Sequence, residues 1–178
     1  MRFLRTRASR RGVACAAALA SWQGYYLPGL VLWLLNRALD GLDGTLARIT
    51  GQQSDFGGYL DILLDTVMYA AIPTALSLSI DRLPAYQALA LLLMSFYVNA
   101  ASWMYVAALL EKRRAGAAAS GELTTITMPS GLIEGTETIA FFVLFLLFPH
   151  AIVVLFVVMA LLTFATIGQR LAWAARAL

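Results

Sequence analysis

Charge is scarce in this chain: of its 178 residues, 13% are Asp, Glu, Lys or Arg, while 61% are hydrophobic. A water-soluble domain of this length has too little interior to hide so much apolar surface. A membrane protein is therefore expected, with one domain over 1–178. Cysteine occurs once, at Cys15, which excludes an intramolecular disulfide and a thiolate metal cage and leaves a small residue for helix packing. Histidine also occurs once, at His150 beside Pro149, and reads as part of a turn on the outer side. No linker run or low-complexity tail interrupts the pattern, and no polar mature domain follows the amino end, so a secretory leader fits poorly. The basic residues are spread along helix ends rather than gathered on one face, which leaves nucleic acid without support as a partner.

What is present is a series of long apolar runs. Segments near 57–80, 84–110, 131–148 and 150–173 each approach the roughly 20 residues that span a bilayer, and 25–48 forms a further helix. Between Arg11 and Tyr25 only about a dozen residues remain, too few to cross. A short, tilted or half-buried first helix turning at Gln23-Gly24 is expected there. The fold is thus all-α and polytopic, with about six transmembrane helices and a polar site facing the cytoplasm. Arg2, Arg5, Arg7, Arg10 and Arg11, then Arg37, Arg48, the Lys112-Arg113-Arg114 triplet, Arg170 and Arg176, all fall on one side if both termini are cytoplasmic, and Arg82 alone falls outside. Trp22, Trp33, Trp103 and Trp173 read as interfacial anchors or packing residues.

Into this oily background is set an acidic run, D40-GL-D43-G44-TL-A47-R48-ITGQQSDF-G57-GYL-D61-ILL-D65. Ionisable groups at membrane depth are a functional-site hypothesis by default. At about 100° per residue, positions 40, 43, 44 and 47 share one helix face, as do 57, 61 and 65. Bringing the two faces together converges Asp40, Asp43, Asp61 and Asp65. Each close carboxylate pair repels by about 4 kcal/mol at ~4 Å and an effective dielectric near 20, so protons or cations must enter. Oxygen-only ligation favours magnesium, manganese or calcium over zinc, and a pair of divalent ions offsets the four charges. Arg48 offers a fork for two phosphate oxygens, and Gly44 and Gly57 open the faces to a ligand or to the partner helix. The spacing points to metal-dependent phosphoryl transfer at a membrane surface. The plainer alternative is a set of solvated loop carboxylates with Arg48 as a topology-setting charge.

These residues resemble the signature D-x2-D-G-x2-A-R-x8-G-x3-D-x3-D of the CDP-alcohol phosphotransferase (CDP-alcohol phosphatidyltransferase) family, with every fixed position present. Asn36-Arg37 and Ser54 are also similar to the family pattern. The resemblance implies a six-helix membrane enzyme, usually a homodimer, that displaces CMP from a CDP-linked substrate with an alcohol. Asp40, Asp43, Asp61 and Asp65 would hold two divalent ions, Mg2+ or Mn2+, and Asp65 would also be the general base. Gly44, Arg48 and Ser54 would contact the CDP moiety, with Ala47 as a spacer and Gly57 alongside. Relative to the family the amino end looks abbreviated, and a mis-set start codon is one explanation.

The donor expected on this resemblance is a CDP-activated lipid, CDP-diacylglycerol first, and the acceptor a small polar alcohol. The alternatives are transfer of a CDP-linked headgroup to diacylglycerol or, outside enzymes, an ion- or proton-coupled transporter. A transporter would place carboxylates deep in several helices, whereas these cluster with an arginine and close glycines. Glu134 and Glu137, in SGLIEGTET, sit where a fifth helix begins; they suit a helix dipole and are candidate acceptor-hydroxyl partners. Only the Lys112-Arg113-Arg114 triplet, Arg113 and Arg114 first, is placed to meet a phosphorylated acceptor, and it otherwise anchors a helix end. That balance leans towards an uncharged or zwitterionic acceptor, with the protein in a bacterial-type inner membrane. Residues 115–130, rich in Gly, Ala, Ser and Thr, are expected to form a cytoplasmic loop or interfacial segment.

Overall fold

The computed structural model describes residues 2–51, 54–113 and 131–178; at 2–11, 43, 47 and 48 it describes the helix without its side chains. Among the described residues there are six α-helices and no strand. They are α1 (Arg2–Trp22), α2 (Tyr26–Ile49), α3 (Asp55–Ile80), α4 (Leu83–Lys112), α5 (Gly135–Leu147) and α6 (Ile152–Ala177), with a 3-10 turn at Pro149–Ala151 leading into α6. Asp55–Ile80, Leu83–Lys112 and Pro149–Ala177 are long and apolar enough to cross a bilayer. The protein is an all-α integral membrane protein. The residues divide into two compact units, Met1–Tyr86 with Phe142–Ile152 and Gln87–Phe141 with Val153–Leu178.

In the first unit, α1 ends in a Schellman turn. Gly24 takes φ +81°, which a side chain resists. The Tyr25 N–H reaches back to the Ala20 carbonyl at 2.8 Å and the Gly24 N–H to Ser21 at 3.2 Å. The turn falls where Gln23-Gly24 predicts it, but α1 is longer than a dozen residues because the arginine-rich opening is itself helical. Its apolar part is only Gly12–Trp22. Ala14, Ala17 and Ser21 line the buried stripe of α1, while Cys15 is exposed, so alanines rather than the cysteine make the packing surface. α2 lies close against that stripe at Gly29, where an added Cβ would meet Ser21 Oγ at 2.7 Å.

α2 runs out at Gly51, with φ +64°. α3 opens on Ser54, whose Oγ accepts the Gly57 N–H at 3.1 Å. Pro73 inside α3 removes the N–H that would bond the Tyr69 carbonyl, a loss tolerated in packed membrane helices. The helix closes at Asp81 in the left-handed region, and Pro84 follows at once, as the Asp81-Arg82 break and that proline predict.

The second unit holds most of α4, the opening of α5 and most of α6. Val106 and Leu110 of α4 and Ala174 of α6 form a small apolar core. Arg170, 6% exposed, donates from Nη1 to Asn99 Oδ1 at 2.7 Å and to Ser102 Oγ at 3.0 Å. Residues 131–134 precede α5 rather than belong to it, which makes that helix shorter than the expected 131–148 span. Carboxylates organise this turn: Gly131 N–H donates to Glu134 Oε1 at 2.6 Å and Glu134 N–H to Glu137 Oε2 at 3.1 Å. The Ile133 N–H bonds Thr166 Oγ1 at 2.9 Å, and a Cβ at Gly131 would fall 2.2 Å from Thr166 Cγ2. The segment 114–130, expected as a loop, lies outside the described residues.

Candidate active site

The site is built where two helical stripes of the first unit meet. On α2 the stripe is Trp33, Arg37, Asp40 and Gly44; on α3 it is Gly57, Asp61, Asp65 and Tyr69. Spacings of three and four residues put each set on one helix face. Arg37 joins them. Its Nη2 donates to Asp65 Oδ1 at 2.8 Å and its Nη1 lies 3.8 Å from Asp40 Oδ2. Nη2 also donates to Asn36 Oδ1 at 2.8 Å. The arginine side chain is 9% exposed, against 22% for Asp40 and 27% for Asp65, so the carboxylates keep access to the surroundings while the guanidinium is nearly enclosed.

Aromatic faces complete the enclosure. The guanidinium carbon stands 4.8 Å from the Trp33 ring centroid and 5.9 Å from that of Tyr69, distances at which ring quadrupoles attract a cation by about 1–2 kcal/mol each in dry surroundings. Trp33 stacks on Phe142 with centroids 4.9 Å apart, Tyr69 meets Phe142 edge-on at 5.6 Å, and Phe145 follows at 5.3 Å. Trp33 is fully buried. It is thus a packing residue with a cation on its face, while Trp22 and Trp173 are exposed. Among the described residues, Arg37 Nε and Trp33 Nε1 find no hydrogen-bond acceptor.

Of the residues singled out from sequence, Asp40 and Asp65 converge on this one cation. Asp61 is half-buried one turn before Asp65, and Gly44 is half-buried one turn after Asp40. Asp43, Ala47 and Arg48 belong to α2, and their side chains lie outside the described residues. Ser54 and the buried Gly57 form the cap and first turn of α3. Glu134 and Glu137 lie in the second unit and accept the backbone N–H bonds that open α5. Arg113 is exposed just beyond the end of α4, and Arg114 lies outside the described residues.

Sequence reasoning passed over Arg37, Trp33 and Tyr69 as members of the site. Arg37 reads from sequence as a positive charge at a helix end and as part of an Asn36-Arg37 pair similar to the family pattern, with no role in the site assigned to it. The available signal was the continuation of each acidic stripe by one turn, from Asp40 back to Arg37 and Trp33 and from Asp65 on to Tyr69.

Among the described residues no three His, Cys, Asp or Glu side chains are grouped closely enough to cage an ion. The donor chemistry nevertheless fits a hard divalent cation. Asp40 and Asp65 come from neighbouring helices, offer oxygen only, and already share a positive centre between them.

The sequence profile of the CDP-alcohol phosphatidyltransferase family matches residues 10–177. Inner membrane protein YnjF of Escherichia coli (strain K12) is 44% identical over 128 residues, covering 71% of this chain and 60% of that protein. Archaetidylinositol phosphate synthase of Pyrococcus horikoshii is 45% identical over 58 residues, covering 30% of each chain. The enzyme of the same name from Aeropyrum pernix is 46% identical over 57 residues, covering 31% of this chain and 29% of its own. The chain thus spans 60% or less of the length of each of these relatives. The match from residue 10 to residue 177, over a chain whose acidic stripes meet on adjoining helices, shows that the protein belongs to the CDP-alcohol phosphatidyltransferase family.

Proposed function

We propose that this protein is a metal-dependent phosphatidyltransferase of phospholipid synthesis. It displaces CMP from a CDP-activated lipid, CDP-diacylglycerol in the first instance, with a small polar alcohol. The observation that carries the reading is the convergence of Asp40 and Asp65 from two helices on one cation, within the spacing of the family signature. Asp40, Asp43, Asp61 and Asp65 are the residues that would hold the divalent ions. Bound there, Mg2+ or Mn2+ offsets the diphosphate charge and makes phosphorus more electrophilic.

The chain's own groups divide the remaining work. Asp65 takes the proton of the acceptor hydroxyl as that oxygen attacks the phosphorus bearing the lipid, and the bond to the CMP phosphate breaks. Arg48 pairs with phosphate oxygens through its planar fork. The Ser54 hydroxyl, whose oxygen already accepts the Gly57 N–H, still has its own hydrogen to donate. Gly44 leaves room beside Asp40 for the nucleotide. The arginines of the amino end and of the α2 and α4 ends favour a cytoplasmic position for the site.

For the acceptor, the capping role of Glu134 and Glu137 supports local structure first. The archaeal relatives carry the name archaetidylinositol phosphate synthase, which favours a phosphorylated polyol as a second reading. The test is purified protein with Mg2+ or Mn2+, labelled CDP-diacylglycerol, and a screen of glycerol, serine, inositol and the phosphorylated polyols. Alcohol-dependent CMP release is expected. Ion flux across vesicles without CMP release under any acceptor would instead favour a transporter.

A further inference from the structure

We propose that Arg37 is a built-in stand-in cation, holding Asp40 and Asp65 together while the site is ion-free and giving them up when divalent ions bind. The inference rests on the ion-holding reading of those aspartates.

Three observations carry it. First, the guanidinium engages both carboxylates from different helices, through Nη2 to Asp65 at 2.8 Å and Nη1 to Asp40 at 3.8 Å. Those oxygens are the ones a divalent ion would need, and a monovalent and a divalent cation at such separations repel one another. Second, the arginine has somewhere to stay after letting go. Asn36 Oδ1 accepts from it at 2.8 Å, and the Trp33 and Tyr69 faces lie 4.8 and 5.9 Å from its centre. Release therefore needs a swing of the fork, not its expulsion from the protein. Third, its Nε has no acceptor among the described residues, so the present arrangement leaves the guanidinium incompletely satisfied.

The physical need is plain. Without a cation, the acidic faces of α2 and α3 repel, and the helices must still pack before ions arrive. Arg37 supplies one charge for that purpose and is the weaker competitor once ions are abundant. It acts through Asp40 and Asp65 and is a positioning residue.

The experiment measures Mn2+ binding to full-length protein in detergent micelles by electron paramagnetic resonance of free Mn2+. The proteins are wild type, Arg37→Gln and Arg37→Lys, and thermal unfolding of each is followed in chelator and in saturating Mn2+. Removing a competitor should tighten Mn2+ binding by about tenfold in Arg37→Gln, with a smaller tightening in Arg37→Lys, which keeps the charge but loses the fork. Arg37→Gln should also melt at lower temperature than wild type in chelator and recover in Mn2+. Unchanged or weaker Mn2+ binding in Arg37→Gln overturns the inference, as does an equal loss of melting temperature with and without Mn2+. If Arg37→Gln does not fold, Arg37→Lys decides by the same sign of change. Folded wild-type protein that binds no Mn2+ overturns this inference together with the ion-holding reading, whereas wild-type binding with no tightening in the variants removes the stand-in role alone.

Discussion

Among the described residues two arginines are nearly enclosed, one in each compact unit, and they keep different company. Arg37 meets the carboxylates of Asp40 and Asp65 under two aromatic rings. Arg170 donates to the neutral Asn99 and Ser102, one turn apart on α4. Arg170, with Glu134 near enough to act on its charge, fastens helices through its hydrogen bonds. A charge wedged between acids occupies a place that another cation can take. The difference teaches that burial of a charge in a membrane helix is not by itself a sign of chemistry; the convergence of acids from two helices on it, as on Arg37, is the stronger sign.

The largest effect that tests this contrast lies at Asp65. Asp65→Asn should lower CMP release by about 10²- to 10⁴-fold, the range for losing a positioned proton acceptor, while the variant still unfolds cooperatively in detergent. Retained turnover would remove the base from the acidic side of the comparison. Next comes Arg170→Met, which leaves Asn99 and Ser102 without their donor and should cost about 1–3 kcal/mol of stability by thermal unfolding. Its Mn2+ affinity should match wild type. A change there like that expected of Arg37→Gln would erase the distinction between the two arginines.

Effects no larger than that of Arg170→Met come from paired glycines, one in each unit. Gly131→Ala drives a Cβ to 2.2 Å from Thr166 Cγ2, beside Arg170, and should destabilise by about 1–3 kcal/mol through overpacking. Gly29→Ala meets the Ser21 hydroxyl at 2.7 Å. That group can rotate away from its bond to the Ala17 carbonyl, so about 1 kcal/mol or less is expected. Equal losses at both sites would mean that the α1–α2 approach is as unyielding as the turn beneath Thr166.

Much of this architecture is legible in the sequence because its boundaries are local. Gly24 ends α1, Asp81-Arg82 with Pro84 ends α3, and Lys112-Arg113 marks the end of α4. The acidic stripes are legible too, since helix periodicity relates Asp40 to Gly44 and Asp61 to Asp65 without any tertiary knowledge. Arg37 was not. Its decisive partner, Asp65, lies on another helix, and a lone arginine near a helix end has a ready explanation in membrane topology. Glu134 and Glu137 do open the fifth helix, as their placement suggests, but the expected span near 131–148 started too early for a related reason. Glu134 and Glu137 bond backbone N–H groups, a use that hydropathy does not register. The first helix outran its apolar length because arginines are good helix formers even where they cannot enter lipid.

Trp33 lies beneath the guanidinium at 4.8 Å, and indole emission responds to the electric field across the ring. The protein therefore carries an optical gauge at the point where its helices meet. With Trp22, Trp103 and Trp173 replaced by phenylalanine, the colour and intensity of the remaining fluorophore would follow each departure and return of its neighbouring charge.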